Sequence, residues 1–173
     1  AILREEEILC SEQEIREAIL SFIGKQEQIP PMYSALKIKG EKLCDLARKG
    51  ITIDRKSRKI EIYNIEILQI KLPEVEFEVS CSKGTYIRSL IQTICEKLNV
   101  IGTMSDLIRT KQGNFDISNT YTIKDIENGN YKMLSVKDLF DYKIYNLNED
   151  EYNKVKNGSH IKIDSNEDKL LLY

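Results

Sequence analysis

The segment Cys81-Ser82-Lys83-Gly84-Thr85-Tyr86-Ile87-Arg88-Ser89-Leu90 puts a guanidinium at a junction where local rules disfavour one. Upstream, Val75, Phe77, Val79 and Cys81 alternate with Glu76, Glu78 and Ser80, the period of a half-buried strand. Downstream, Ile87, Leu90, Ile91, Ile94 and Leu98 recur at helical spacing. Lys83-Gly84 reads as the turn between them and Thr85 as the helix N-cap. Arg88 then falls in the first helical turn, where the helix dipole is positive and a capping box would place Glu or Gln. A residue that breaks a local rule marks a place to look for function. Arg88 fits a holder of an anion, either a carboxylate or a phosphate. The same residue also fits a solvated arginine with its stem on the surface.

A second candidate is electrostatic. The chain has 173 residues and a formal net charge of −2, so it is not basic throughout. Residues 37–59 nevertheless hold nine basic against three acidic side chains, a local net of +6. A basic segment inside an acidic chain is a candidate phosphate-tracking surface, although a solvated charged loop has the same composition. Other chemistries find little support. Cys10, Cys44, Cys81 and Cys95 have no short paired spacing, and with His160 as the single histidine a His/Cys metal cluster is not written here. A cysteine nucleophile built on Cys81 and His160 would need a base within reach and an activated thiolate. No apolar run reaches the roughly 20 residues of a membrane span. Unpaired cysteines and no signal segment suggest a reducing, cytoplasmic setting. The chain opens on Ala1 rather than Met, which suggests a piece of something longer.

Several elements must position these residues. Ser11-Glu12-Gln13-Glu14 is a capping box, followed by the apolar stripe Ile15, Ala18, Ile19, Phe22 and Ile23, with Gly24 as the C-terminal cap. The tandem prolines of Gln28-Ile29-Pro30-Pro31-Met32-Tyr33 forbid helix and favour extended backbone. A short helix is predicted from Glu41 to Lys49, closed by Gly50. Ile60, Ile62, Ile65, Ile67 and Ile70 mark a long strand whose phase changes near Tyr63-Asn64, as at a bulge. A further short helix is predicted after Gly102. Beyond Phe115 come two short capped helices at Thr122 and Ser135, a strand over 142–147, a helix over 149–156 and an apolar terminal strand at Leu170 with nothing after it to pair with.

Three separated segments read together: Gln28 to Lys37 with Gly40 and Ala47-Arg48-Lys49-Gly50; Cys81 to Leu90; and Leu107-Ile108-Arg109-Thr110 with Gly113 and Phe115. Their order and spacing resemble the TruB family of bacterial tRNA pseudouridine synthases, well over about residues 10–118 and loosely elsewhere. The resemblance implies that Arg88 pairs with the catalytic aspartate, that Tyr86 lies beside the uracil pocket and that Leu107 packs against the target base. It implies that about Ile29 to Gly50 forms a mobile loop gripping the T-arm stem-loop of tRNA. Lys37, Lys39, Lys42, Arg48 and Lys49 make chemical sense there as phosphate contacts. Tyr33 either stacks on a splayed base or anchors the loop. The implied partner is tRNA, with no membrane, and the reaction uses no metal and no redox cofactor.

The departures are as informative. The family's nucleophilic aspartate lies in a G-x-x-D-P-x-A-x-G loop, and no such segment occurs among these residues. The family's Lys-Pro segment and its second pocket tyrosine are also missing, and Ile108 replaces a common arginine. By resemblance Ala1 falls just after those segments. The expected class is α+β: a mixed or antiparallel sheet from about 60–70, 75–81 and 113–118, with helices 12–23 and 86–98 packed on it. Residues 1–140 are expected to form the C-terminal portion of a synthase catalytic domain. Residues 141–173 are expected to open a small, truncated β-rich RNA-binding appendage of the PUA type. The expected core is Ile15, Ile19, Phe22, Val75, Phe77, Val79, Leu90, Ile91, Ile94 and Leu98. A sheet edge left unpaired would invite dimerisation. On this reading the complete protein isomerises a T-arm uridine, and this chain alone, lacking the nucleophile, is inactive. The alternative is a non-catalytic RNA-binding module.

Overall fold

The structure, a computed structural model, describes residues 6–173, so the first five residues of the expected 1–140 domain lie outside the described residues. It divides into two units, Ala1–Ile108 and Arg109–Tyr173.

In the first unit, Ser11 caps α1 (Glu12–Leu20) through a reciprocal box. The Glu14 N–H donates to Ser11 Oγ at 3.3 Å, and the Ser11 N–H donates to the Glu14 carboxylate at 2.8 Å. The helix turns Ile15, Ala18 and Ile19 inward. It stops at Ser21, short of the predicted Gly24. Gly24, with φ +116°, instead opens β1 (Gly24–Gln28). This strand has no apolar alternation of its own. Its partner imposes the extended state, because it pairs antiparallel with β4 (Arg58–Lys71) from Gly24 opposite Ile62 to Gln28 opposite Arg58. On its other side β4 pairs antiparallel with β5 (Glu74–Cys81). Their register shifts between Ile62 and Asn64, where the phase change is written, and again between Ile67 and Gln69.

The sheet order is β1-β4-β5, so its third strand is 24–28 and not 113–118. One face carries α1 and α3 (Ile87–Leu98). The core joins Ile15, Ile19, Ile60, Ile62, Ile65, Leu90 and Ile94, with Phe22, Val75, Phe77, Val79, Cys81 and Leu98 packed against it. Ile91, expected in the core, is only half-buried. The other face of the β4–β5 ribbon exposes Glu74, Glu76 and Glu78, with Glu66 directly opposite Glu78.

Between β1 and β4 lies a small assembly of β2 (Lys37–Ile38), β3 (Glu41–Lys42) and α2 (Leu43–Arg48). Lys39 and Gly40 turn the hairpin with φ of +51° and +90°, the positive angles that a two-residue turn between right-twisted strands needs. Beyond α3, residues 103–107 are irregular rather than helical. The Asp106 carboxylate accepts the Leu107 N–H at 2.7 Å, a local bond that competes with helix formation.

The second unit opens with the hairpin β6 (Lys111–Gln112) and β7 (Phe115–Asp116), the stretch assigned above to the main sheet. Gly113 turns it with φ +56°. Then follow α4 (Ile123–Glu127), α5 (Val136–Leu139), β8 (Lys143–Tyr145), α6 (Glu149–Lys156) and β9 (Leu170–Leu172). Thr122, Ser135 and Asn148 cap the three helices with boxes closed by Asp125, Asp138 and Glu151. The terminal strand is not unpartnered: β9 pairs parallel with β8, Leu170 opposite Lys143. Among the described residues no side chain of this unit is fully buried.

Candidate functional site

Of the predicted site residues, Tyr86, Arg88 and the backbone of Tyr33 meet where α3 begins. Tyr86 is the N-cap residue, extended at φ −101° and ψ 109°, and it makes no side-chain cap. The predicted cap, Thr85, instead donates its hydroxyl to the Ser82 carbonyl at 2.9 Å and so belongs to the preceding turn. The cap bonds come from across the fold. Gln28 Oε1 accepts the Tyr86 N–H at 2.8 Å, and Gln28 Nε2 donates to the Tyr86 carbonyl at 3.0 Å.

Arg88 follows on the first turn with its side chain exposed. Its Nη2 donates to the Tyr33 carbonyl at 2.6 Å. Among the described residues no carboxylate pairs with it. One residue further, Ser89 Oγ donates to the Ile29 carbonyl at 3.3 Å. Arg55 Nη1 donates to the Pro30 carbonyl at 3.0 Å. Three carbonyls of the Ile29–Tyr33 stretch are thus held by three side chains. The physical reason lies in the prolines, which have no N–H and prevent the stretch from forming a ladder of its own.

Tyr33 contributes this carbonyl to the junction, and the residue is 59% exposed. Of the five basic residues singled out, Lys37, Lys39 and Lys42 belong to the β2–β3 hairpin and have no ion pair among the described residues. Arg48 bonds Asp45 at 3.3 Å, and Lys49 Nζ lies 4.0 Å from Glu41. These are solvent-exposed pairs, each worth only about 0–1 kcal/mol, which a phosphate can displace. The segment has an apolar anchor and backbone bonds of its own. Leu43 is fully buried, its N–H donates to the Leu36 carbonyl at 2.8 Å, and the Cys44 N–H donates to the Ser34 carbonyl at 3.1 Å. The acidic ribbon face is a poor phosphate surface, and the hairpin is a cationic one.

Leu107 is 55% exposed near the end of the first unit, and no hydrogen bond ties it to Tyr86 or Arg88. Cys81 packs against the hydrophobic core. Gln28, Arg55 and Ser89 are the contributors that sequence reasoning missed. A glutamine ending a polar strand reads as solvent-facing, and Arg55 counts only as charge. The signal that could have found Gln28 is its place immediately before Ile29-Pro30-Pro31, where an extended loop must be fastened.

Residues 1–87 match the family model described as TruB family pseudouridylate synthase, N-terminal domain. The chain is 48% identical over 165 residues to tRNA pseudouridine synthase B of Clostridium tetani, covering 93% of this chain and 57% of that protein. It is 52% identical over 126 residues to tRNA pseudouridine synthase B of Alkaliphilus oremlandii, covering 73% of this chain and 42% of that one. The chain therefore spans about half the length of the curated relatives it matches. Among solved structures, a chain of a Cbf5-Nop10-Gar1 complex is similar with a TM-score of 0.56 and 33% identity, covering 69% of this chain and 31% of that chain. Among the described residues no helix is long and apolar enough to cross a membrane.

Proposed function

The chain belongs to the TruB family of pseudouridylate synthases, and from that premise we propose that its parent protein isomerises a uridine in the T-arm loop of tRNA. In that reaction the uracil is detached from its sugar and rejoined through carbon, so atoms and charge balance within the substrate. An ionised aspartate assists, in a pocket that excludes water.

Arg88 is the supporting group on this side of the pocket. Its mount is rigid, because Gln28 fixes the peptide at which α3 starts. One N–H is spent on the Tyr33 carbonyl. The guanidinium keeps further donors for a forked bond to a carboxylate, which would orient that group and hold its pKa down. Tyr86 forms a pocket wall, and Leu107 approaches the flipped base, offsetting part of the unstacking cost. Lys37, Lys39 and Lys42 supply backbone affinity, with Arg48 and Lys49 joining when RNA displaces their partners. Tyr33 stacks near the target loop. Residues 141–173, with their strand-helix-strand arrangement, open a PUA-like RNA-binding appendage. The setting is cytoplasmic, and no metal or redox cofactor is needed.

The observation that carries this reading is the contact between the two motifs: Arg88 on the first turn of α3 holds the loop that bears the basic hairpin. The test is pseudouridine formation on a T-arm stem-loop by the full-length protein. Arg88→Ala abolishes modification and leaves most RNA binding intact. Arg88→Lys is severely slowed, since a point charge cannot serve a carbonyl and a carboxylate as a planar fork does. Wild-type rates in Arg88→Ala refute the reading, and binding without turnover by the wild type favours the non-catalytic alternative.

A further inference from the structure

We propose that Gln28 is a positioning residue for the catalytic site, setting the first turn of α3 and through it Tyr86 and Arg88. The inference rests on the synthase reading above. Gln28 is the last residue of β1, and at 8% exposure it is one of two buried polar or charged side chains among the described residues. Its amide is used at both ends on a single residue far away in sequence, accepting the Tyr86 N–H at 2.8 Å and donating to the Tyr86 carbonyl at 3.0 Å. That carbonyl also accepts the first helical bond, from the Leu90 N–H at 3.1 Å. Gln28 therefore fixes the plane from which the helix departs. No side-chain cap of α3's own does so. Because Gln28 also begins the loop that Arg88 grips at Tyr33, a shift of this residue moves both partners of the Arg88 contact.

The geometry makes separable demands. Gln28→Met keeps the volume and loses both bonds. Gln28→Glu keeps an acceptor for the Tyr86 N–H, at a helix start that favours an anion, and loses the donor to the carbonyl. In full-length protein, single-turnover modification at saturating stem-loop RNA follows the order wild type, Gln28→Glu, Gln28→Met. Losing two ordinary hydrogen bonds places the methionine variant roughly five- to a hundredfold below wild type. RNA affinity stays close to wild type, because Lys37, Lys39 and Lys42 lie on the β2–β3 hairpin and not on the turn that Gln28 sets. Amide exchange at Leu90 accelerates in the same order, a readout independent of turnover. If Gln28→Met does not fold, the rate and exchange of Gln28→Glu decide. Modification lost in Arg88→Ala but kept at wild-type rate in a folded Gln28 variant overturns the positioning role alone. No modification by the wild type overturns the synthase reading and this role with it.

Discussion

Leu43→Ala separates the basic hairpin from the rest of the first unit. Leu43 is fully buried, yet it lies outside the cluster formed by α1, α3 and β4. Its side chain holds the 34–50 segment closed, and the Leu43 and Cys44 N–H groups reach back to Leu36 and Ser34. Truncating a buried leucine to alanine costs about 2–5 kcal/mol. The cost falls on the segment's own closing equilibrium, because small peripheral units open at less than the global free energy. A loss of about 3 kcal/mol corresponds to roughly a hundredfold faster amide exchange where opening limits it. The assay is native-state hydrogen exchange on the full-length protein, comparing the Leu43 and Cys44 amides with that of Leu90. Exchange rises at the first two and stays near wild type at the third. Tryptic cleavage at Lys37, Lys39 and Lys42 accelerates in parallel. Equal acceleration at Leu43 and Leu90 would show that the hairpin assembly unfolds only with the main core. Unchanged exchange at Leu43 would show that its burial does not hold the segment.

Two further outcomes follow from local geometry. A Cβ at Gly102 would lie 2.5 Å from Cys95 Sγ, so Gly102→Ala destabilises the first unit by about 1–3 kcal/mol in chemical denaturation, and adding Cys95→Ala recovers most of the loss. A neutral Gly102→Ala with Cys95 intact would refute the clash. The Ser11 hydroxyl and N–H hold the Glu14 carboxyl below its ordinary value. A depressed carboxylate stabilises the fold above its unfolded value and loses that contribution as pH falls through the folded one. Ser11→Ala therefore raises the Glu14 titration midpoint, followed by NMR, and flattens the acid side of the stability profile. An unmoved midpoint would remove the hydroxyl as the cause.

The elements legible in the sequence are those that carry their own signal. The Ser11 box, the stripe through Leu90 and Ile94, the alternation of 75–81 and the phase change at Tyr63-Asn64 each specify a local state. What escaped depends on a partner. Gly24-Lys25-Gln26-Glu27-Gln28 has neither periodicity nor β-branched residues, and it is a strand because β4 offers it a ladder, with Lys25 opposite Glu61 and Glu27 opposite Lys59. Phe115 and Asp116 alternate well enough for a strand but pair across Gly113 at short range, where closure costs least. The terminal strand finds β8 in parallel register, a pairing that no turn residue announces. At the site, the motifs named the residues that matter but not the side chains that hold them, because a carbonyl acceptor leaves no mark on the identity of the residue that bears it.

That asymmetry accounts for the oddity of Arg88. Judged within its own helix it is misplaced, a cation on a positive dipole. Judged against the loop across from it, the same position is required. Pro30 and Pro31 deprive the loop of donors while leaving its carbonyls as acceptors for other side chains. Ser89, Arg55 and Arg88 meet those of Ile29, Pro30 and Tyr33 in turn. The first helical turn is where side chains can reach the loop, and a guanidinium can satisfy one acceptor while directing its other donors elsewhere. A glutamate in the same place, the second helical position after the Tyr86 cap, would offer the Tyr33 carbonyl no donor. The local penalty is a fraction of a kcal/mol to about 1 kcal/mol, small enough for an exposed tertiary contact of the same order to offset.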